Sequence, residues 1–271
     1  MNFINKEYSA FAKKARNNFE STVRLWGKLP SSDMEEKDGA LFVSTGVAIP
    51  DQNYAIRTLT EGSAASPAAE ALSFFRNKGV PFTWWVPPGD DSIPESDRIA
   101  DTGLPRRCAP PAMFYSLADF AERKDPPSGI TVKHVSDSLE ASLWALCSLE
   151  GFGSGAEHGE AFTRFTSSMT NSPEKEYFRL AAVFCGDTPA GTAMLSISED
   201  TAGLYYFSVV RAFRGRGLGK ILLEAVLEEA KMAGCSEVTL QASPMGFPLY
   251  RKFGFRECGR FLVHSPDPDA C

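Results

Sequence analysis

Three glycines alternate with basic and apolar residues in the stretch RGRGLGK, residues 214–220, and this composition suits the binding of an anion. Aromatic and β-branched residues precede the stretch and an amphipathic run follows it, which predicts a strand leading directly into the N-terminus of a helix. Such a junction directs unpaired backbone N–H groups and the positive end of a helix dipole toward one point. Glycines let the backbone approach a ligand closely, and arginine and lysine can form charge-assisted contacts with phosphate oxygens. We therefore predict a loop that binds pyrophosphate.

Two familiar phosphate-binding signatures do not match this loop. A Walker loop requires Lys followed by Ser or Thr after a GxxxxG frame, whereas Lys220 is followed by Ile221 and residue 214 is Arg. A dinucleotide fingerprint requires G-x-G-x-x-G, whereas the glycines here stand at 215, 217 and 219.

The pattern that does match is Arg, two residues, Gly, one residue, Gly, with a Val five positions before the Arg: Val209, Arg214, Gly217 and Gly219. In this pattern the sequence resembles the GNAT superfamily of N-acetyltransferases, whose signature loop binds the pyrophosphate of acetyl-coenzyme A. The stretch LQASPMGFPLYRKFGF, residues 240–255, resembles a second motif of the same superfamily. The resemblance covers about 130–265, where the order of predicted elements is that of the family.

The resemblance implies a set of coenzyme-binding residues. In the family, two neighbouring strands separate after the position of Val209, which frees backbone groups for the pantetheine arm and the thioester carbonyl. The implied set comprises Phe207, Ser208, Val209, Arg214, Gly215, Arg216, Gly217, Leu218, Gly219, Lys220, Ser243 and Phe247. Acetyl-coenzyme A is the implied cosubstrate, and no metal is expected.

The resemblance also implies direct attack of an amine on the thioester in a ternary complex. The N–H of Val209 or of its neighbour would polarise the thioester oxygen as charge develops there. Tyr250 matches the family position whose hydroxyl points at the coenzyme sulfur, and a phenol with a pKa of about 10 stays protonated at neutral pH and can donate.

A general base is harder to assign, because the family's base positions correspond to Gly203, Tyr205 and Val238. Tyr205 has the strand parity of Phe207, so we expect it to face the site as a substrate contact or to hold a water molecule. His158 is the base to test first, because imidazole titrates near neutral pH. Other candidates are Glu150, Glu157 and Glu199, and a water relay or an already neutral amine would need no such residue.

The expected fold class is α+β, with two GNAT-like domains, each a mostly antiparallel mixed sheet flanked by helices. Prolines and glycines are dense over 87–128, and the stretch AERKDPPSG, residues 121–129, has the composition of an interdomain connection, so the expected domains are 1–125 and 130–271. The first is interpreted as a degenerate GNAT-like domain that cannot bind coenzyme and instead supports the catalytic half or forms a wall of its substrate cleft, because its TEGSAAS stretch, residues 60–66, lacks the arginine and the repeated glycines of the loop. Core packing of both Trp84 and Trp85 is the favoured account of this pair, while alternation would place one in a core and leave the other near a surface or the domain interface.

Periodicity and turn residues predict the elements of each domain. The first has helices over 3–28 and 67–78 and strands near 40–46, 53–59 and 81–86. The second has strands near 130–135, 177–185, 189–199, 203–210, 237–242 and 254–264, and helices over 137–151, up to about 170, after the loop, and over 245–252.

Composition excludes several classes of function. The 271 residues carry a net charge of -6, which argues against a nucleic-acid partner. Neither a signal-peptide core nor an apolar run of about 20 residues is evident, so a cytoplasmic protein without a membrane partner is expected. The six cysteines form no C-x-x-C pair and are interpreted as reduced thiols.

The sequence thus favours an acetyl-coenzyme A-dependent N-acetyltransferase whose acceptor is a small-molecule or peptide amine. A non-catalytic acyl-coenzyme A sensor and an enzyme for a longer acyl group stay open as alternatives, as do a monomer and a homodimer.

Overall fold

The computed structural model describes residues 2–58, 67–89, 92–121 and 125–271 of the chain. Among these residues, the part of the chain up to Ser116, called the first part below, contains a long helix, two shorter helices and six strands. These are α1 (Asn2–Gly27), β1 (Asp33–Lys37), β2 (Ala40–Ser44), β3 (Asn53–Arg57), α2 (Ala68–Lys78), β4 (Thr83–Val86), α3 (Ser92–Asp101), β5 (Arg106–Cys108) and β6 (Pro111–Ser116).

The second part contains the remaining helices and strands that the structure describes. These are β7 (Ile130–His134), α4 (Ser138–Phe152), α5 (Gly159–Asn171), β8 (Phe178–Cys185), β9 (Thr188–Ser198), β10 (Thr201–Val209), α6 (Leu218–Met232), β11 (Glu237–Gln241), α7 (Phe247–Phe253), β12 (Arg256–Arg260) and β13 (Leu262–His264). The strands of both parts form two mixed, mostly antiparallel sheets, so the predicted fold class is confirmed.

Local signals explain most element ends. Gly79 ends α2 with a left-handed φ of 67°, which glycine adopts at little cost. Asp137 caps α4 by accepting a hydrogen bond from the Glu140 N–H at 2.9 Å, while the Glu140 carboxylate accepts from the Ser136 N–H at 2.7 Å. These two hydrogen bonds satisfy backbone N–H groups at the start of α4 and fix where the helix begins.

The two sheets exchange strands. In the first sheet the order is β1-β2-β3-β4-β13-β5, so the last strand of the chain lies between β4 and β5. In the second sheet the order is β12-β6-β11-β10-β9-β8-β7, so β6 from the first part lies between β12 and β11. The boundary between the sheets therefore does not coincide with a cut at 125–130, and the division into a supporting and a catalytic domain stays a prediction.

The prediction of one final strand over 254–264 is wrong, because β12 and β13 belong to different sheets. Phe261 lies between them, fully buried, and its N–H donates to the Pro110 carbonyl at 3.0 Å. The proline-rich stretch 87–128, to which the sequence analysis assigns no element, contains α3, β5 and β6. Its prolines lie at the ends of elements: Pro94 is in the first turn of α3 and Pro111 begins β6, positions that do not require a backbone N–H donor.

Helix α1 lies between the two sheets and carries a shared core. The Phe19 ring lies 6.2 Å from the Tyr54 ring and 5.0 Å from the Phe261 ring, and the Trp26 ring lies 5.2 Å from the Tyr205 ring. The apolar residues whose periodicity predicts α1 therefore pack against both sheets, on opposite sides of the helix.

Both tryptophans pack against a hydrophobic core, as the favoured account predicts, but they differ in burial, as alternation predicts. Trp84 is fully buried in the core of the first sheet, whereas Trp85 is half-buried and contacts Phe19 and Phe261, at ring distances of 5.2 and 5.8 Å, where the sheets meet. The TEGSAAS stretch, residues 60–66, lies outside the described residues.

Two cysteines depart from the expectation that all six are reduced. Cys108 in β5 and the terminal Cys271 form a disulfide, with their Cα atoms 6.2 Å apart. Their 163-residue separation gives no local signal, and they approach because β13 pairs with β5 and brings the end of the chain back to it.

Within the described ranges, no helix combines the length and the apolar character that crossing a bilayer requires.

Candidate functional site

Strand β10 opens away from β11 in the middle of the second sheet. The two strands pair in parallel only from Thr201↔Glu237 to Gly203↔Thr239. Beyond that point β10 continues to Val209 with no described strand paired along its β11 side. Its backbone groups there are available to a ligand, which is the separation that the resemblance implies.

A β-bulge lies within the same segment. On the β9 side the register runs from Tyr205↔Met194 directly to Ser208↔Thr192, so β10 contains one extra residue. Tyr206 has a φ of 50°, a left-handed conformation that bulky side chains rarely adopt. The Thr192 hydroxyl donates to the Tyr206 carbonyl at 3.0 Å, which fixes the bulge from β9.

The bulge corrects the expectation that Tyr205 shares a face with Phe207. Tyr205 points toward α1, where its buried hydroxyl donates to Asn18 Oδ1 at 3.0 Å, whereas Phe207 packs near Tyr250 on the opposite face of the sheet. One extra residue reverses the parity of a strand, so two residues that alternation assigns to one face are separated.

Two glycines allow close packing around the bulge. A Cβ atom at Gly191 of β9 would lie 2.5 Å from the Ser208 carbonyl oxygen, and one at Gly151 of α4 would collide with Ser208 Oγ. Neither position could carry a larger side chain without moving the bulge. Neither glycine carries a local sequence signal, because each is constrained by an element distant in sequence.

The predicted phosphate loop follows β10 and ends at the N-terminus of α6. Gly215 has a φ of 76° and Gly217 a φ of 80°, and a Cβ atom at either position would have open space around it. Gly217 is the N-cap residue of α6 and offers no side-chain cap, so the N–H groups of the first turn face outward without a capping oxygen from that residue. This arrangement suits a phosphate group at the helix N-terminus.

The three basic side chains of the loop differ in their contacts. Arg214 donates from Nε to the Val209 carbonyl at 2.8 Å and from a terminal nitrogen to the Gly151 carbonyl at 2.7 Å. It therefore ties the loop to β10 and to α4. Arg216 lies over the Phe213 ring, with 5.4 Å from its guanidinium carbon to the centroid. Lys220 forms an ion pair with Glu224 at 2.7 Å on the exposed side of α6.

Helix α7 closes the other side of the candidate site. Ser243 accepts a hydrogen bond from the Gly246 N–H at 3.1 Å and so fixes the turn before α7, and Phe247 is half-buried in the first turn. Leu249 lies 3.4 Å from where a Cβ atom at Gly219 would be, so the starts of α6 and α7 are in contact.

Tyr250 is 5% exposed, and its ring lies 5.8 Å from the Phe207 ring. Burial raises the pKa of the Tyr250 hydroxyl above its ordinary value, so this group is a proton donor over the neutral range. The structure therefore brings Phe207, Tyr250 and the phosphate loop to one end of the opening between β10 and β11.

The candidate bases lie in different places. His158 lies in a short turn between α4 and α5, with its Nε2 atom 3.6 Å from a Glu157 oxygen. Glu150 is exposed on α4. Glu199 lies in the turn before β10, and at about 3.3 Å per residue it is roughly 25 Å from Phe207, which places it out of reach of the site.

Gly203 is the first of the three positions that correspond to a base in the family. The space that a side chain at Gly203 would occupy is taken by a residue of α1. A Cβ atom at Gly203 would collide with Asn18 Oδ1 and would also meet the Tyr205 ring. Asn18 is buried and donates to the Ser196 and Thr201 carbonyls at 3.0 and 3.2 Å. A carboxylate at 203 is thus replaced by a neutral amide from α1.

In the part of the chain that the structure describes, no group of His, Cys, Asp or Glu side chains is arranged to hold a metal ion.

Comparisons with known proteins relate part of the sequence to one family and the fold to solved structures. The model of the acetyltransferase (GNAT) domain matches residues 147–264. IAA acetyltransferase of Azospirillum brasilense is 38% identical over 81 residues, 27% of this chain and 52% of that protein. The chain spans about a third to a half of the length of the curated relatives that it matches.

Two solved structures resemble the whole fold. A GCN5-related N-acetyltransferase from Kribbella flavida superposes with a TM-score of 0.65 at 14% identity, covering 92% of this chain and 95% of that one. A tandem GNAT protein from the clavulanic acid biosynthesis pathway superposes with a TM-score of 0.59 at 16% identity, covering 94% and 88%. At these identities the likeness concerns the fold alone.

Proposed function

We propose, on the premise that this chain belongs to the GNAT superfamily, that it transfers an acetyl group from acetyl-coenzyme A to an amine. The observation that carries this proposal is the combination of a glycine loop at the N-terminus of α6 with a strand that opens immediately before it. The first feature suits a pyrophosphate, and the second exposes the backbone that a pantetheine arm needs.

The residues of the site fit the coenzyme sterically and electrostatically. Gly215 and Gly217 leave open space where side chains would stand, Arg216 lies between them, and Lys220 lies in the first turn of α6. When bound, the coenzyme supplies an activated thioester. The residues Phe207, Ser208 and Val209 would line its arm through backbone groups, since side chains alternate away from that edge of the strand. Arg214 acts indirectly in this proposal, because its guanidinium is bonded to two carbonyl oxygens of the protein.

Each chemical step needs a group that this chain can supply. A neutral amine attacks the thioester carbon, forming the C–N bond, and a backbone N–H at or next to Val209 stabilises the charge on the carbonyl oxygen. The C–S bond then breaks, and Tyr250 donates its proton to the departing sulfur and later takes one from solvent. The proton lost by the amine passes to His158 or to water. His158 follows α4, whose Gly151 packs against Ser208, so the turn that carries it begins beside the bulge.

A binding protein without turnover is the second candidate function. The packing of Asn18 against Gly203 favours it, because that position holds no carboxylate to accept the amine's proton. Both candidates require coenzyme binding, and only the enzyme requires Tyr250 and an acceptor.

A coenzyme-release assay with a panel of amines separates these functions. The panel contains a polyamine, an aminoglycoside, an amino acid and a peptide with a free N-terminus. Release with at least one amine, together with a loss of turnover in Tyr250→Phe at unchanged acetyl-coenzyme A affinity, supports the enzyme. Tight coenzyme binding without release on every amine supports the binding protein instead. Absence of binding in calorimetry refutes both.

A further inference from the structure

The first part of the chain contacts the bulge directly through a side chain. The Tyr206 hydroxyl donates to Gln52 Oε1 at 2.7 Å, across 154 positions in the sequence. Tyr206 is the bulge residue with the left-handed φ, and it is 9% exposed. The strained residue that opens β10 is therefore bonded to a residue next to β3 of the other sheet.

Gln52 is held rigidly by its neighbour. It is the last residue of a short helical turn before β3, and the fully buried Asn53 follows it. Asn53 Nδ2 contacts the carbonyls of Val47 at 2.8 Å, Ile49 at 3.1 Å and Pro81 at 2.8 Å. Because this amide fixes the turn from three directions, Gln52 presents its acceptor at a defined position rather than as a mobile surface side chain.

The Tyr206 ring is enclosed by aromatic residues from both parts of the chain. Its centroid lies 5.9 Å from Trp26 of α1, 5.7 Å from Trp144 of α4 and 5.6 Å from Phe162 of α5. These rings determine where the Tyr206 side chain can go, and Gln52 satisfies its hydroxyl at that place. The Tyr54 side chain also interacts with this hydroxyl, and Gln52 supplies its acceptor. Loss of that acceptor would leave a buried O–H poorly satisfied, so the hydrogen bond to Gln52 stabilises the left-handed backbone of the bulge.

We propose that Gln52 is a positioning residue for the coenzyme: through Tyr206 it stabilises the bulge that directs the backbone of 207–209 into the opening between β10 and β11. This inference rests on the proposed function, since it assigns that backbone to the pantetheine arm. On this inference, the first part of the chain stabilises the left-handed backbone conformation of Tyr206, which the second sheet alone does not favour.

The test measures acetyl-coenzyme A affinity by calorimetry in the full-length chain. The variants are Tyr206→Phe, which removes only the hydroxyl, Gln52→Met, which removes the acceptor at similar volume, and the double variant. Since one hydrogen bond with a buried partner is at stake, each single change is expected to raise the Kd about five- to tenfold, and the double variant no more than the larger single effect. Ser21→Ala is the matched control, because Ser21 also accepts a hydrogen bond between the two parts, from Ser198 at 3.1 Å, but lies away from the bulge.

Steady-state kinetics separate positioning from a general loss of structure. The KM for acetyl-coenzyme A is expected to rise in Tyr206→Phe and Gln52→Met, while the KM for the amine stays within twofold of wild type. Wild-type binding with unchanged affinity in both variants overturns the inference, and so do equal losses in Ser21→Ala. Additive effects in the double variant also overturn it. If wild type binds no coenzyme, the proposed function itself has failed, which the first titration reveals before any variant is compared.

Discussion

The substitution Gly217→Asp tests the assignment of the loop most directly. Gly217 has a φ of 80° and open space around a Cβ position, so a side chain can be accommodated at the N-terminus of α6 without collision. Asparagine has nearly the same shape as aspartate and tolerates the left-handed region equally well. The comparison of Gly217→Asp with Gly217→Asn therefore isolates one negative charge beside the expected pyrophosphate.

Coulomb's law gives the size of the effect. A unit charge about 6 Å from each of two phosphate charges, at an effective dielectric constant of about 40, costs about 3 kcal/mol in total. Screening at physiological salt reduces this to about half, so we expect the Kd of acetyl-coenzyme A to be about 10-fold higher for Asp than for Asn at 0.15 M salt, and about 100-fold higher at low salt.

Calorimetry at two salt concentrations measures this difference. Gly234→Asp serves as the control, because Gly234 also has a positive φ of 83° and open space, but follows the other end of α6, about 25 Å away. Its affinity is expected to match wild type. Equal affinities for Asp and Asn at position 217, at both salt concentrations, would refute the placement of the pyrophosphate on this helix.

Three further predictions concern stability and assembly. Burial lowers the pKa of His264, which is bonded to Ser96 and to a backbone carbonyl, so the unfolded chain takes up a proton that the native chain does not. Stability is then lost as pH falls below about 6.5, and urea midpoints from pH 7.5 to 5 should fall less steeply in His264→Asn. Thiol titration of the denatured, unreduced chain should find four of the six cysteines, and six titratable thiols would contradict the disulfide. Loss of the Cys108–Cys271 link should lower the free energy of unfolding by about 3–5 kcal/mol. A fragment of residues 130–271 lacks α1 and β6 and should show no cooperative thermal transition until residues 1–125 are co-expressed; a sharp transition for the fragment alone would contradict the shared core.

Local patterns in the sequence predict most elements of the fold. The apolar periodicity of α1, the Pro67 and Gly79 ends of α2, the cap at Asp137 and the turn residues between β8, β9 and β10 all depend on neighbours within a few positions. The phosphate loop is predictable for the same reason, because its glycines and its helix N-terminus are contiguous. Such features depend only on residues that are close together in the sequence.

Long-range pairing is not predictable in this way. Nothing near 111–116 indicates that β6 joins the second sheet, since any strand of that composition would suit either sheet. The extra residue at Tyr206 reverses the parity of β10, so alternation assigns Tyr205 to the wrong face. Asn18 and Gln52 are polar residues with no motif around them, and only their tertiary contacts with Tyr205 and Tyr206 distinguish them.

The exchange of strands makes each sheet depend on a part of the chain that lies far away in the sequence. Because β6 separates β11 from β12, the second sheet has a gap in its hydrogen bonding unless the first part of the chain is present. Because β13 separates β4 from β5, the first sheet has the same dependence on the end of the chain. Two adjacent residues of β10 are then bonded to Asn18 and Gln52, so the shape of the opening depends on the interface between the parts. A substitution in the first part of the chain can therefore change the shape of the opening without touching the glycine loop 214–220.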